Sequence, residues 1–84
     1  MKSVIEDLYK KSAAIHDKYK DPELDELLLG LVQRFQDADA MYHHFGYLLM
    51  HIKATVAYPV RPAHLQGAID RAERFLENYA KQGQ

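Results

Sequence analysis

The sequence predicts an all-α domain, an antiparallel up-down-up-down four-helix bundle, and three observations carry that prediction. Apolar residues recur at spacings of three and four along most of the chain, the period of amphipathic helices. Pro22, Pro59 and Pro62 divide that periodic pattern into stretches of helix length. With 84 residues the chain makes one domain, 1–84, and four helices joined by short connections pack most simply in that topology. The expected helices are roughly 3–20, 22–37, 40–57 and 62–81.

The first helix starts at Ser3-Val4-Ile5-Glu6, which matches the S-x-x-E capping box, where serine and glutamate satisfy backbone N–H groups reciprocally. Val4, Leu8, Ser12, Ile15 and Tyr19 form its stripe, widened by Ile5 and Tyr9. Glu6 and Lys10, and Asp7 and Lys11, are acid-before-base pairs at i,i+4 on the wet side, each worth about 0.2–0.5 kcal/mol.

Lys20-Asp21-Pro22-Glu23 reads as a stop and a restart. Proline disfavours helical geometry in the residue before it, aspartate caps, and proline suits a first helical position. The second helix then buries Leu24, Leu27, Leu28, Leu31, Phe35 and Ala38, with Leu29 and Val32 broadening the stripe. Gly30 costs about 1 kcal/mol against alanine inside a helix, so either a neighbouring backbone approaches there or the glycine is simply tolerated.

The boundary between the second and third helices has no glycine or proline to mark it. An unbroken helix from 22 to 57 would run about 54 Å at 1.5 Å per residue, nearly twice the diameter of so small a domain. A break is expected in Asp37-Ala38-Asp39-Ala40, where either aspartate can cap the next helix.

The third helix organises the chain. Met41, Phe45, Leu48, Leu49, Ile52 and Val56 make one apolar stripe, yet the opposite side is not polar: it carries Gly46, Tyr47, Met50, Ala54 and Ala57. An all-round apolar helix is either central in its bundle or covered when it works. A second copy of the chain, as a homodimer, would cover the same face. The run 58–62 closes this helix, with Pro62 in the first turn of the fourth. Leu65, Ile69, Ala72, Leu76 and Tyr79 form a regular seam there. Asp70 and Arg74, and Glu77 and Lys81, support the other side, and Gly83 follows the end. The expected interior is Leu8, Ile15, Leu28, Leu31, Phe35, Leu48, Ile52, Ile69 and Leu76.

A net charge of −1 with interleaved acids and bases gives no electrostatic footprint for nucleic acid. The absence of cysteine removes disulfides, thiol chemistry and cysteine-based zinc sites. No apolar run reaches the roughly 18 residues a membrane span needs, and MKSVIEDLYKK is not expected to act as a signal peptide. His43, His44 and His51 lie close together, but His44 and His51 are seven apart and no carboxylate completes a ligand set on that helix, so no metal or other cofactor is expected. His51-Ile52-Lys53-Ala54 is faintly similar to the H-x-x-K-G motif of histidine phosphotransfer domains, with lysine one position early and alanine in place of glycine. A phosphorelay role, or another small helical adaptor role, is the alternative reading. No nucleophile triad, phosphate loop or spaced carboxylate pair can be placed, so an enzyme is not expected. Tyr9, Tyr19, Tyr42 and Tyr79 fall on or near apolar stripes as core or rim residues. Tyr47 and Tyr58 fall with Met50 on the outer side of the third helix, and such residues are enriched at interfaces. The candidate contact surface is Tyr47, Met50, Ala54 and Tyr58, with Lys53, Arg61 and His64 at its rim.

Val4-Ile5-Glu6-Asp7-Leu8-Tyr9, Lys20-Asp21-Pro22, Leu27-Leu28 through Phe35, Leu48-Leu49 with Ile52, and the proline-marked turn before Leu65 together span most of the chain. In this layout it resembles the bacteriocin immunity proteins of the enterocin A immunity family, small cytosolic four-helix bundles that protect Gram-positive bacteria from pediocin-like peptides. The resemblance implies no catalysis. It implies binding, from the cytosolic side, to the membrane sugar-permease complex of the mannose phosphotransferase system that the bacteriocin uses as receptor. Specificity would then lie in the C-terminal half. Members often continue into a C-terminal tail, whereas this sequence stops about where its fourth helix stops, which leaves the cognate bacteriocin open.

Overall fold

The structure, a computed structural model, describes residues 2–57 and 60–82, with side chains from Val4 onward. It is all-helical: α1 (Lys2–Tyr19), α2 (Pro22–Gln33), α3 (Ala38–Thr55) and α4 (Ala63–Gln82), with no strand among the described residues. α1 packs on α2 and α4, and α3 also packs on α2 and α4. None of the described helices is long and apolar enough to cross a membrane.

Two aspartates set where helices begin. Asp21 Oδ1 accepts from the N–H groups of Glu23 at 3.1 Å and Leu24 at 3.3 Å, and Asp37 Oδ1 accepts from Asp39 and Ala40 at 3.1 Å each. Both are N-caps that satisfy donors a helix start leaves unpaired. The capping box expected for α1 depends on the side chain of Ser3, which lies outside the described residues; α1 itself already begins at Lys2. Pro62 stands just before Ala63, not inside the first turn, and its carbonyl accepts from the Gln66 N–H at 3.0 Å. Gly83 lies outside the described residues.

The chain leaves α1 through Lys20, whose φ of 52° is the left-handed conformation that glycine adopts without penalty, while its N–H donates to the His16 carbonyl at 2.6 Å. An L-residue there costs roughly 1–2 kcal/mol. Lys20→Gly should therefore raise stability by about 0.5–1 kcal/mol after the extra entropy of the unfolded chain is subtracted. A urea midpoint that stays put or falls would contradict this.

All six residues of the α3 stripe are buried, with Phe45, Leu48 and Ile52 at 1% exposure or less. Ile5, Leu8, Ile15, Leu24, Leu28, Leu31, Leu65, Ile69 and Ala72 join them in one core. Ser12 is fully buried within the α1 stripe, and its hydroxyl has no hydrogen-bond partner among the described residues. Leu27 and Leu76 only flank the core, half-buried against it.

The α2 expectation needs correcting. The helix stops at Gln33, four residues short of 37, and α3 starts at Ala38, two residues before 40. Turn hydrogen bonds from Phe35 N–H to the Val32 carbonyl at 3.3 Å and from Asp37 N–H to the Arg34 carbonyl at 3.0 Å reverse the chain between them. Phe35 thus sits beyond the helix at 38% exposure and not in the core, and Ala38 is exposed as the first residue of α3. Leu29 and Val32 are exposed at 58% and 55%. Tyr9 and Tyr19 on α1 are exposed as well. Ile5, Tyr9, Leu31, Val32 and Phe35 line an apolar groove of about 250 Å³ between α1 and α2.

The Asp7–Lys11 pair expected on α1 is redirected, since Asp7 meets Arg71 of α4 across the helix pair; within α4, Asp70 accepts from Gln66 at 2.9 Å.

Candidate functional site

α3 is one wall of the core and not its centre, so its second apolar side is left to solvent. Burying the stripe from Met41 to Val56 turns Tyr47 and Met50 outward, at 63% and 68% exposure, with Ala54 and Ala57 also exposed below them. Shallow clefts flank this pair. On the α4 side Tyr42, His43, Gly46, Tyr47, Met50 and Leu76 enclose about 350 Å³; on the α2 side Glu23, Leu27, Tyr47, Met50 and His51 enclose about 340 Å³. The upper wall is stiffened by the Tyr42 and Tyr79 rings, stacked at 4.9 Å, and by Phe45 set edge-on to Phe75 at 6.0 Å. Tyr47 and Met50 therefore form an apolar ridge between two grooves.

The rim named from sequence separates. Lys53 is exposed but directed at α4, with Nζ 3.2 Å from Glu73 Oε1. Arg61 is half-buried and acts as a structural clasp, since its guanidinium donates to the Val56 carbonyl, to the Lys53 carbonyl at 3.0 Å and to Gln66 Oε1 at 2.8 Å. It caps the C-terminal carbonyls of α3, which have no partner within the helix. His64 is exposed and lines a different cleft, with Lys11, Ile15 and Leu65. Tyr58 lies outside the described residues. The part of the expected surface that the structure brings together is Tyr47 and Met50, with Ala54 nearby along the same helix.

Three histidines have structural roles that spacing did not reveal. His16 Nδ1 donates to the Asp21 carbonyl at 2.6 Å, and His44 Nε2 donates to the Leu27 carbonyl at 2.7 Å; carbonyls only accept, which assigns the proton in each case. His51 Nε2 lies 2.5 Å from Asp21 Oδ2, with Nδ1 3.6 Å from Glu23 Oε2. Thr55 Oγ1 adds a contact to Asp21 Oδ2 at 3.4 Å. Asp21 thus ties the α1–α2 turn to α3, and nothing in sequence pairs positions 21 and 51. Hydrogen bonding from His51 holds the Asp21 carboxyl below its ordinary value; burial opposes this, and the Leu24 and Glu23 amides and the His51 charge reinforce it. Of the two ring nitrogens of His51, Nε2 is engaged by Asp21, while Nδ1 has only the long contact to the exposed Glu23 carboxylate. Among the described residues no three His, Asp or Glu side chains gather as a metal-holding group.

Gly30 did signal its neighbour. A Cβ there would stand 2.5 Å from His44 Cε1 and Nε2, so the glycine makes room for an imidazole and not for a backbone. Gly30→Ala should gain about 1 kcal/mol of helix propensity only when the ring is gone. In wild type the displaced ring gives up its bond to Leu27, worth about 0.5–1.5 kcal/mol, and cancels the gain. Urea melts of both single variants and the double variant with His44→Ala should show that coupling; additivity would dismiss the steric account.

Comparison with protein-family models, with curated proteins and with solved structures finds no match.

Proposed function

We propose that this protein is a bacteriocin immunity protein that works by stoichiometric binding, without catalysis, and that the Tyr47–Met50 ridge of α3 is its contact surface. The observation that carries the reading is a pair of large apolar side chains, more than 60% exposed, on a helix whose other apolar face is already buried. Exposed methionine and tyrosine supply contact area at low entropic cost and serve no purpose in open water. The four-helix architecture and the residue pattern of the enterocin A immunity family support the class. The partner in this reading is the receptor sugar-permease complex with bound bacteriocin, met from the cytoplasm.

The helices in this reading run up-down-up-down. Support comes from three pairings that join opposite ends: Ile15 beside Leu65, Asp21 with His51, and Tyr42 with Tyr79. Such a bundle presents α3 along its full length, which a docking helix requires.

The test is expression in a bacteriocin-sensitive strain. Survival should follow wild type, and challenged cells should yield permease subunits on pull-down. Tyr47→Ala with Met50→Ala should abolish protection while leaving the melting temperature within a few degrees, because interface anchors act only on association, at about 2 kcal/mol or more for a hot spot. Full protection by the double variant would remove the ridge from the mechanism. Loss of protection in proportion to lost stability would make it part of the scaffold.

A further inference from the structure

A second site stands at the end of the molecule where α1 runs out and α3 hands over to α4. Ile15, Val56 and Leu65, all buried, floor a cleft of about 170 Å³, and Lys11, Lys18 and His64 stand among its walls. Among the described residues no aspartate or glutamate lines it. Among the described residues no ion pair engages any of the three basic side chains; Lys18 Nζ merely lies 5.4 Å from the Tyr19 ring centroid. Three other clefts differ in this respect, since Glu23 or Glu26 enters those on α2 and Glu6 faces the α1–α2 groove beside Lys10; the cleft between Tyr42 and Leu76 also has no acid, but it has no lysine either. An apolar floor beside two lysines without ion-pair partners is complemented by an anionic head joined to a hydrocarbon.

We infer that this cleft binds a short-chain anionic amphiphile, a carboxylate or phosphate head on an aliphatic segment. Size supports the match, because an apolar cavity of about 150 Å³ accepts a six-carbon hydrocarbon such as benzene. The segment lies on the Ile15–Val56–Leu65 floor and the head meets Lys11 and Lys18. This site is separate from the α3 ridge and does not depend on the immunity reading. Its ligand is either a free acid or one chain of a bilayer lipid, and both present the same head and tail.

The test is an amide chemical-shift titration of the purified protein with hexanoate, and with 1-hexanol as the same chain without charge. Saturating shifts are expected at Ala14, Ile15, Val56 and Leu65, with hexanoate binding roughly tenfold more tightly than the alcohol at low ionic strength. Lys11→Gln with Lys18→Gln should erase that preference, and Ala14→Leu, at an exposed position of the lining, should block both probes. Circular dichroism confirms that each variant is folded, and Lys18→Gln alone serves if the double variant is not. Equal binding of the two probes, shifts elsewhere, or a preference that survives the lysine changes would overturn the inference. Sedimentation with phosphatidylglycerol vesicles separates the sources: hexanoate binding with vesicle binding assigns a membrane lipid, and hexanoate binding alone assigns a free acid. Vesicle binding without hexanoate shifts would mean a charged surface in place of a cleft, and would also overturn it.

Discussion

Ile52→Ala should be among the most damaging single changes in the chain, lowering stability by about 2–5 kcal/mol. Ile52 is fully buried in the central stripe of α3, where its side chain joins contributions from all four helices in one core. Truncation removes the transfer energy of the lost carbons and leaves a cavity that packed helices refill only in part. Domains of this size have total stabilities of roughly 0.05–0.15 kcal/mol per residue, so one such change takes a large share. The melting temperature should fall on the order of 10–30 °C. Leu28→Ala should behave similarly. Phe35→Ala is the discriminating control, because a ring beyond the end of α2 and 38% exposed has far less to lose. Equal losses for Phe35→Ala and Ile52→Ala would mean that α2 continues through 35, and an unchanged melting temperature for Ile52→Ala would mean that the phase of α3 is wrong.

The contrast between those residues shows what the sequence could express. The α3 stripe was legible in full because its apolar positions keep helical phase from end to end and both neighbouring helices cover them. Phe35 has the same phase relation to Leu28 and Leu31, but period alone does not tell where a helix stops. The stop was encoded indirectly. Once Asp37 is the N-cap, the residue at the cap is non-helical and the chain needs 34–36 to turn, so α2 must finish by Gln33. The hydrophobicity of Leu29 and Val32 points them inward, but the fold leaves them out because α2 packs through Leu24, Leu28 and Leu31. The outward position of Tyr47 and Met50 followed from the wheel. The structural role of Arg61 did not, since it depends on a turn bringing residue 61 back to carbonyls 53 and 56.

Asp21→Ala should come second in severity among these changes, at about 2–3 kcal/mol, and it acts through two separable interactions. The N-cap is worth about 0.5–2 kcal/mol. The charge-assisted bond with His51 is worth about 1.5–3 kcal/mol when buried, and less here because both side chains keep 17–18% exposure and solvent screens them. Asp21→Asn divides the two, since asparagine caps as well as aspartate but carries no charge. It should lose only the His51 part, and Asp21→Ala should lose both. Acidity supplies an independent check. The folded-state carboxyl is held below its ordinary 3.8, so as the pH drops through that value the unfolded chain takes up a proton before the folded one does. The stabilisation is complete above 3.8 and disappears as the pH falls through the lower folded value. The gap between wild type and Asp21→Asn, read from urea midpoints at successive pH values, should therefore shrink as the pH falls below about 4. Other carboxylates steepen both curves equally and drop out of the difference. A gap that persists unchanged to pH 2 would mean that the His51 contact contributes nothing through charge, leaving Asp21 a helix cap alone.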